Sequence, residues 1–125
     1  MIFRPLLATT ALFAISGLSQ ASPTITSLGA SARTIAQGVP ITYSIKGEDM
    51  ENAICALQIR YGDGTSTIRH MDWGKNIKFP LYLKKTYAKP GKYTASVIGV
   101  KSGKFLKCMG SAKYSVLVTE PPVAP

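Results

Sequence analysis

A chain that reverses at Tyr61-Gly62-Asp63-Gly64 and again within Lys85-Thr86-Tyr87-Ala88-Lys89-Pro90-Gly91-Lys92-Tyr93 has few folds open to it. In the first stretch Asp-Gly is a favoured hairpin pair, because both residues tolerate positive φ and the aspartate can bond its own backbone. In the second, Pro90 presets φ at the second position of a type II turn, and Gly91 accepts positive φ at the third. Strand-like sequence flanks both stretches. Tight reversals between such segments make antiparallel strands rather than helices.

The same pattern recurs along the chain. Thr24-Ile25-Thr26-Ser27-Leu28, within 22–32, reads as a first, edge-type strand. Gln37-Gly38 marks a turn. From Val39 to Lys46 the residues Ile41, Tyr43 and Ile45 share one face and Thr42, Ser44 and Lys46 the other, as in a half-buried strand. An acidic loop over 47–52 follows, with Glu48, Asp49 and Glu51. Ala53 to Tyr61 alternates again, so that Cys55, Leu57, Ile59 and Tyr61 face the prospective core. Thr65 to Met71 reads as a short partner strand, 72–77 as a loop carrying the sole tryptophan, Trp73, and Phe79 to Tyr87 as the next strand. Tyr93 to Val100 follows, reversed by Ser102-Gly103. Phe105–Met109 and Lys113–Thr119 read as one strand interrupted by a bulge at Gly110. About seven short strands, turn signals at roughly ten-residue spacing and no helical period predict an all-β sandwich.

Residues 1–21 stand apart. Arg4 precedes an apolar run from Leu6 to Leu18, and Ser19-Gln20-Ala21 places small residues where a signal peptidase cuts. This is the pattern of a cleavable secretory signal, too short and too weakly flanked for a membrane span; a retained anchor helix is the alternative. The mature protein is then secreted or periplasmic, with one domain over 22–120 and a proline-rich extended tail over 121–125. A domain of that size buries roughly two-thirds of its unfolded surface. Its only cysteines are Cys55 and Cys108. An even pair in an oxidising compartment reads as one disulfide, which stabilises by about 4 kcal/mol in the chain-entropy model. Two buried free thiols are the alternative. Redox catalysis is disfavoured, since no Cys-x-x-Cys spacing exists.

With their flanks, the two turn stretches resemble the signature of the PKD (polycystic kidney disease) domain, an immunoglobulin-like sandwich. That signature is a Trp-Asp-Phe-Gly-Asp-Gly run followed by His-Thr-Tyr-x-x-Pro-Gly-x-Tyr. Here the first motif is Ile59-Arg60-Tyr61-Gly62-Asp63-Gly64, and the second matches at Thr86, Tyr87, Pro90, Gly91 and Tyr93. Ile59 and Arg60 replace the family's Trp and Asp, Lys85 replaces its His, and the cysteine pair lies outside the signature. The likeness spans most of 23–119. It implies an extracellular module that mediates protein or carbohydrate contacts. By strand count, the disulfide ties the third strand to the last.

Charge supplies the main functional signal. The formal net charge is +9, yet it is unevenly spread: 84–113 holds Lys84, Lys85, Lys89, Lys92, Lys101, Lys104, Lys107 and Lys113 and no acidic residue. Converging on one face, these lysines would attract an anionic polysaccharide, an envelope surface or an acidic protein. Scattered, they would keep a β protein soluble and guard its edges. Specific nucleic-acid readout favours arginine forks, which the segment lacks. Trp73 is the aromatic residue expected either to meet a ligand or to pack in the core. It motivates a second reading, a small inhibitor or accessory subunit binding a protein through 72–77.

Nothing points to an enzyme, a cofactor or a metal site, and a monomer is expected. His70 is the only histidine, which excludes a multi-histidine metal site. Serines and Asp72 could complete a triad with it, but no nucleophile elbow is present. Asp63 reads as a turn former rather than an acid catalyst or calcium ligand. Glu48, Asp49 and Glu51 lack the spacing of an EF-hand. Of Tyr87 and Tyr93, one is expected to make the corner hydrogen bond found in sandwiches.

Overall fold

The computed structural model describes residues 22–121. The secretory leader expected over 1–21 and the tail beyond 121 lie outside the described residues. Eight strands follow one another: β1 (Thr24–Ala30), β2 (Thr34–Ala36), β3 (Ile41–Glu48), β4 (Ile54–Arg60), β5 (Ser66–Asp72), β6 (Leu81–Lys85), β7 (Gly91–Gly99) and β8 (Met109–Thr119). Among the described residues a single 3-10 turn, Trp73–Lys75, interrupts them. One layer runs β1-β3-β6. The other runs β5-β4-β7-β8, with β2 parallel to β8. The layers also join along one side, where Thr24 and Ile25 pair in parallel with Met109 and Gly110.

The alternation read from the sequence sorts side chains between core and solvent. Ile41, Tyr43 and Ile45 of β3 meet Leu57 and Ile59 of β4, Ala95 and Val97 of β7, and Val116 and Val118 of β8 in one buried cluster. Each large apolar side chain so buried contributes roughly 1.5–3 kcal/mol. In β1, Ile25 and Leu28 both point inward although three residues apart, because the register with β3 slips between Ile25 and Ser27. The inserted residue resets the inside-outside order.

Several local expectations are corrected. A strand not expected from the sequence is β2, three residues whose only partner among the described residues is β8. The first hairpin takes three residues: Gly62 and Gly64 adopt positive φ while Asp63 does not, and the Tyr61 amide donates to the Thr65 carbonyl at 3.0 Å. Gly62 is required there, since a Cβ would strike the Thr94 backbone. Gly91 opens β7 with φ +152°, far from the +80° or so of a type II turn. Gly110 does not break the last strand. It lies inside β8 at φ +81°, pressed so closely on the Ile25 carbonyl that any side chain would collide. Phe105 to Cys108 makes only isolated bridges and precedes that strand.

Candidate functional site

The antiparallel order gathers the loops at two poles. Loops 31–40, 61–65 and 86–90 lie at one, and loops 49–53, 73–80 and 100–108 at the other.

The first pole is a structural lock. Asp63 Oδ1 accepts the Thr65 amide at 3.0 Å and the Thr65 hydroxyl at 2.6 Å, the turn-forming role expected of it. Its second oxygen pairs with Lys85 Nζ at 2.6 Å, and that ammonium also lies 5.0 Å from the Tyr61 ring and 5.3 Å from the Tyr87 ring. Burial alone would raise the Asp63 carboxyl. The bonds from Lys85 and Thr65 outweigh it and hold the group at about 2. Lys85 is therefore removed from the set of ligand candidates: its side chain is only 14% exposed and spent on Asp63. Beneath the pair, Tyr87 donates to the Tyr61 carbonyl at 2.8 Å and lies 2.7 Å from the Tyr43 hydroxyl. Burial, then the Tyr43 hydroxyl beside it, pushes the Tyr87 phenol far above its ordinary value. Tyr93 stacks on Tyr87 with ring centroids 4.4 Å apart and donates to the Lys89 carbonyl at 2.8 Å. That last bond, reaching back four residues, is the corner expected of one of the two tyrosines.

The remaining seven lysines of the basic segment are exposed and occupy several surfaces. Lys84 faces outward on β6, opposite Thr42 of β3. Lys92 and Lys113 face outward on the other layer, where Lys113 pairs with Ser96 and Ser96 with Arg60 in register. Lys89 lies in the bend before β7. Lys101, Lys104 and Lys107 share one loop at the second pole.

That loop is held tightly. The Cys55–Cys108 disulfide joins β4 to its last residue, so the bridge ends just before the final strand rather than within it. The Ala56 carbonyl accepts both the Val100 and the Cys108 amides at 3.0 Å, and the Ala56 amide donates to the Leu106 carbonyl at 2.8 Å. This cover explains why Ala56 is fully buried on the outward side of its strand. Ser102 and Phe105 close a turn through two mutual backbone bonds, and Phe105 stacks on His70 at 4.2 Å. His70 Nε2 lies 2.9 Å from Ser102 Oγ. A serine beside a histidine is part of a nucleophile-base arrangement, but among the described residues no carboxylate bonds the ring to orient it. Leu106 and Met109 project into solvent, 63% and 53% exposed.

Trp73 is neither fully buried nor free. It is half-buried in the short 3-10 turn, its amide bonds the Ala53 carbonyl, and Lys78 Nζ lies 4.4 Å from its ring. Among the described residues no group of three or more His, Cys, Asp or Glu could hold a metal ion. Nor, among them, is any helix long and apolar enough to cross a membrane. Leu106 and Met109 are not legible as surface residues in the sequence. Their local signal, apolar residues interleaved with lysine, is the same as that of a strand.

Two curled layers with this strand order define an immunoglobulin-like β-sandwich. The chain is similar to the solution structure of the PKD domain from the human VPS10 domain-containing receptor SorCS2, with a TM-score of 0.56 and 15% identity. The likeness covers 94% of this chain and 97% of that one, so the fold is PKD-like. No protein-family model matches the sequence, and the search among curated proteins finds no match.

Proposed function

We propose that the protein is an exported, non-catalytic binding module that contacts an anionic polymer or surface through lysines spread over several of its surfaces, where a long polyanion can wrap the domain, rather than through the single lysine-rich face expected from the sequence. One observation carries this reading. Among the described residues the single ion pair is Lys85–Asp63, so seven exposed lysines of segment 84–113 present uncompensated charge to solvent. Charge of one sign on a rigid frame raises the local concentration of polyanions. Export is supported by the leader pattern, the disulfide and the sandwich fold.

The test is retention of residues 22–125 on immobilised polyuronate across a salt series. Retention at low salt that is lost near 1 M, where the screening length falls to about 3 Å, supports the reading. Substituting Lys84, Lys89, Lys92 and Lys113 to Glu should weaken retention further. Absence of retention, or retention indifferent to salt, overturns it.

A second reading rests on Trp73 and Ile77, the latter 39% exposed at the same pole. Here the loop 72–77 grips a protein partner as an accessory or inhibitory subunit. Partner capture lost in Trp73→Ala and kept in the lysine variant would favour it.

A further inference from the structure

We infer that loop 100–108 is a membrane-surface contact, which seats Leu106 and Met109 in the interface of an anionic phospholipid bilayer while Lys101, Lys104 and Lys107 hold its headgroups. This rests on the proposed affinity for anionic surfaces and names the partner at one part of that surface.

Three observations converge on this loop. It presents cations at every third residue, and it contains no acid; the acids of the same pole, Glu48, Asp49, Glu51 and Asp72, belong to other segments. Of those, Asp49 is engaged by the Phe79 amide at 3.0 Å. Second, one apolar side chain of the loop, Leu106, and that of Met109, the first residue of β8 beside it, are turned outward. Among the described residues Leu106 is one of the most exposed large hydrophobics, and Met109 follows closely. A hydrated polysaccharide gains nothing from these two side chains, whereas the boundary between headgroups and acyl chains does. Third, the backbone is immobilised before any partner arrives. The disulfide, three backbone bonds to Ala56 and the Phe105–His70 stack fix the loop, so docking costs little ordering entropy. The Leu106 carbonyl is bonded to the Ala56 amide beneath it, which anchors the residue on its protein side while its side chain stays in solvent.

Chemistry separates the two roles. Lysines near an anionic leaflet each add roughly fivefold in affinity, and removing all three weakens binding about 100-fold. Burying an exposed leucine or methionine contributes roughly tenfold or more.

The experiment compares vesicles of phosphatidylcholine alone with vesicles that also contain phosphatidylglycerol, using residues 22–125 in co-sedimentation. Binding is expected only to the anionic vesicles. Leu106→Ser with Met109→Ser should weaken vesicle binding roughly 100-fold and leave retention on polyuronate unchanged. Lys101→Ala, Lys104→Ala and Lys107→Ala together should weaken vesicle binding about 100-fold. All five side chains are exposed, so an unchanged melting temperature, with an intact mass that shows the Cys55–Cys108 bridge formed, excludes misfolding. Vesicle affinity unchanged in the Leu106/Met109 variant overturns the inference, as does failure to bind anionic vesicles while polyuronate retention persists; both leave the polymer reading standing. Failure on vesicles and polyuronate alike overturns both.

Discussion

Removing one oxygen from Tyr87 should damage this domain far more than removing one from Tyr43, although both rings are almost wholly buried. The Tyr87 proton goes to the Tyr61 carbonyl, which can only accept. Tyr43 must therefore supply the proton of the 2.7 Å contact between the two hydroxyls. Tyr87→Phe orphans two groups at once, the Tyr43 hydroxyl and the Tyr61 carbonyl. Tyr43→Phe removes a donor and leaves the Tyr87 bond to the carbonyl intact. A buried polar group without a partner costs about 1–3 kcal/mol, so Tyr87→Phe should destabilise by about 3 kcal/mol and Tyr43→Phe by about 1 kcal/mol. In a domain of this size that is about 15 °C against about 5 °C in melting temperature. The double variant carries the sharper test. Removing Tyr43's hydroxyl in the Tyr87→Phe background deletes one orphan, so the double variant should be more stable than Tyr87→Phe alone by about 1 kcal/mol. Urea unfolding followed by fluorescence of Trp73 measures all four proteins. Equal costs for the two single variants, or a double variant less stable than either, would refute the assignment of donors.

Two further outcomes follow from the lock and the disulfide. Asp63 has a folded value of about 2, below its ordinary 3.8, so its contribution is fully present above about pH 4 and lost as pH falls toward 2. Melting temperature should drop through that window in the parent and drop less in Asp63→Asn, which begins lower at neutral pH; parallel profiles would remove Asp63 from the account. Cys55→Ser with Cys108→Ser opens a bridge between residues 53 apart and should cost about 4 kcal/mol by urea unfolding. A cost below about 1 kcal/mol would show that the bonds to Ala56 hold loop 100–108 without the bridge.

Much of the site's frame is legible in the sequence because it rests on local chemistry. Alternation needs only neighbouring residues, so the strands containing Ile41, Tyr43 and Ile45, or Cys55, Leu57 and Ile59, could be read directly with their inward faces. The Gly62-Asp63-Gly64 turn is local too: its glycines and its aspartate act within five residues of one another. The cysteine pair followed from count and compartment. The turn at Pro90-Gly91 departs from type II because Pro90 fixes only its own φ, Gly91 tolerates almost any, and the stacking of Tyr93 on Tyr87 spans the bend.

What sequence alone determined is thus an all-β sandwich, its reversals, its core alternation and an uneven basic charge. Tertiary structure decided which of those charges remain available. Lys85 looked like its neighbours, yet Asp63, 22 positions earlier and on another loop, claims it. Phe105 to Cys108 read as strand because period and polarity are all a local window contains. Whether those residues enter a sheet or lie over one depends on Ala56 and Cys55, which sit on a different strand. The same holds for β2, whose three residues exist as a strand only because β8 passes beside them. Local patterns set the inside and outside of each segment; contacts across the fold settle which outward side chains are spent and which stay free to bind.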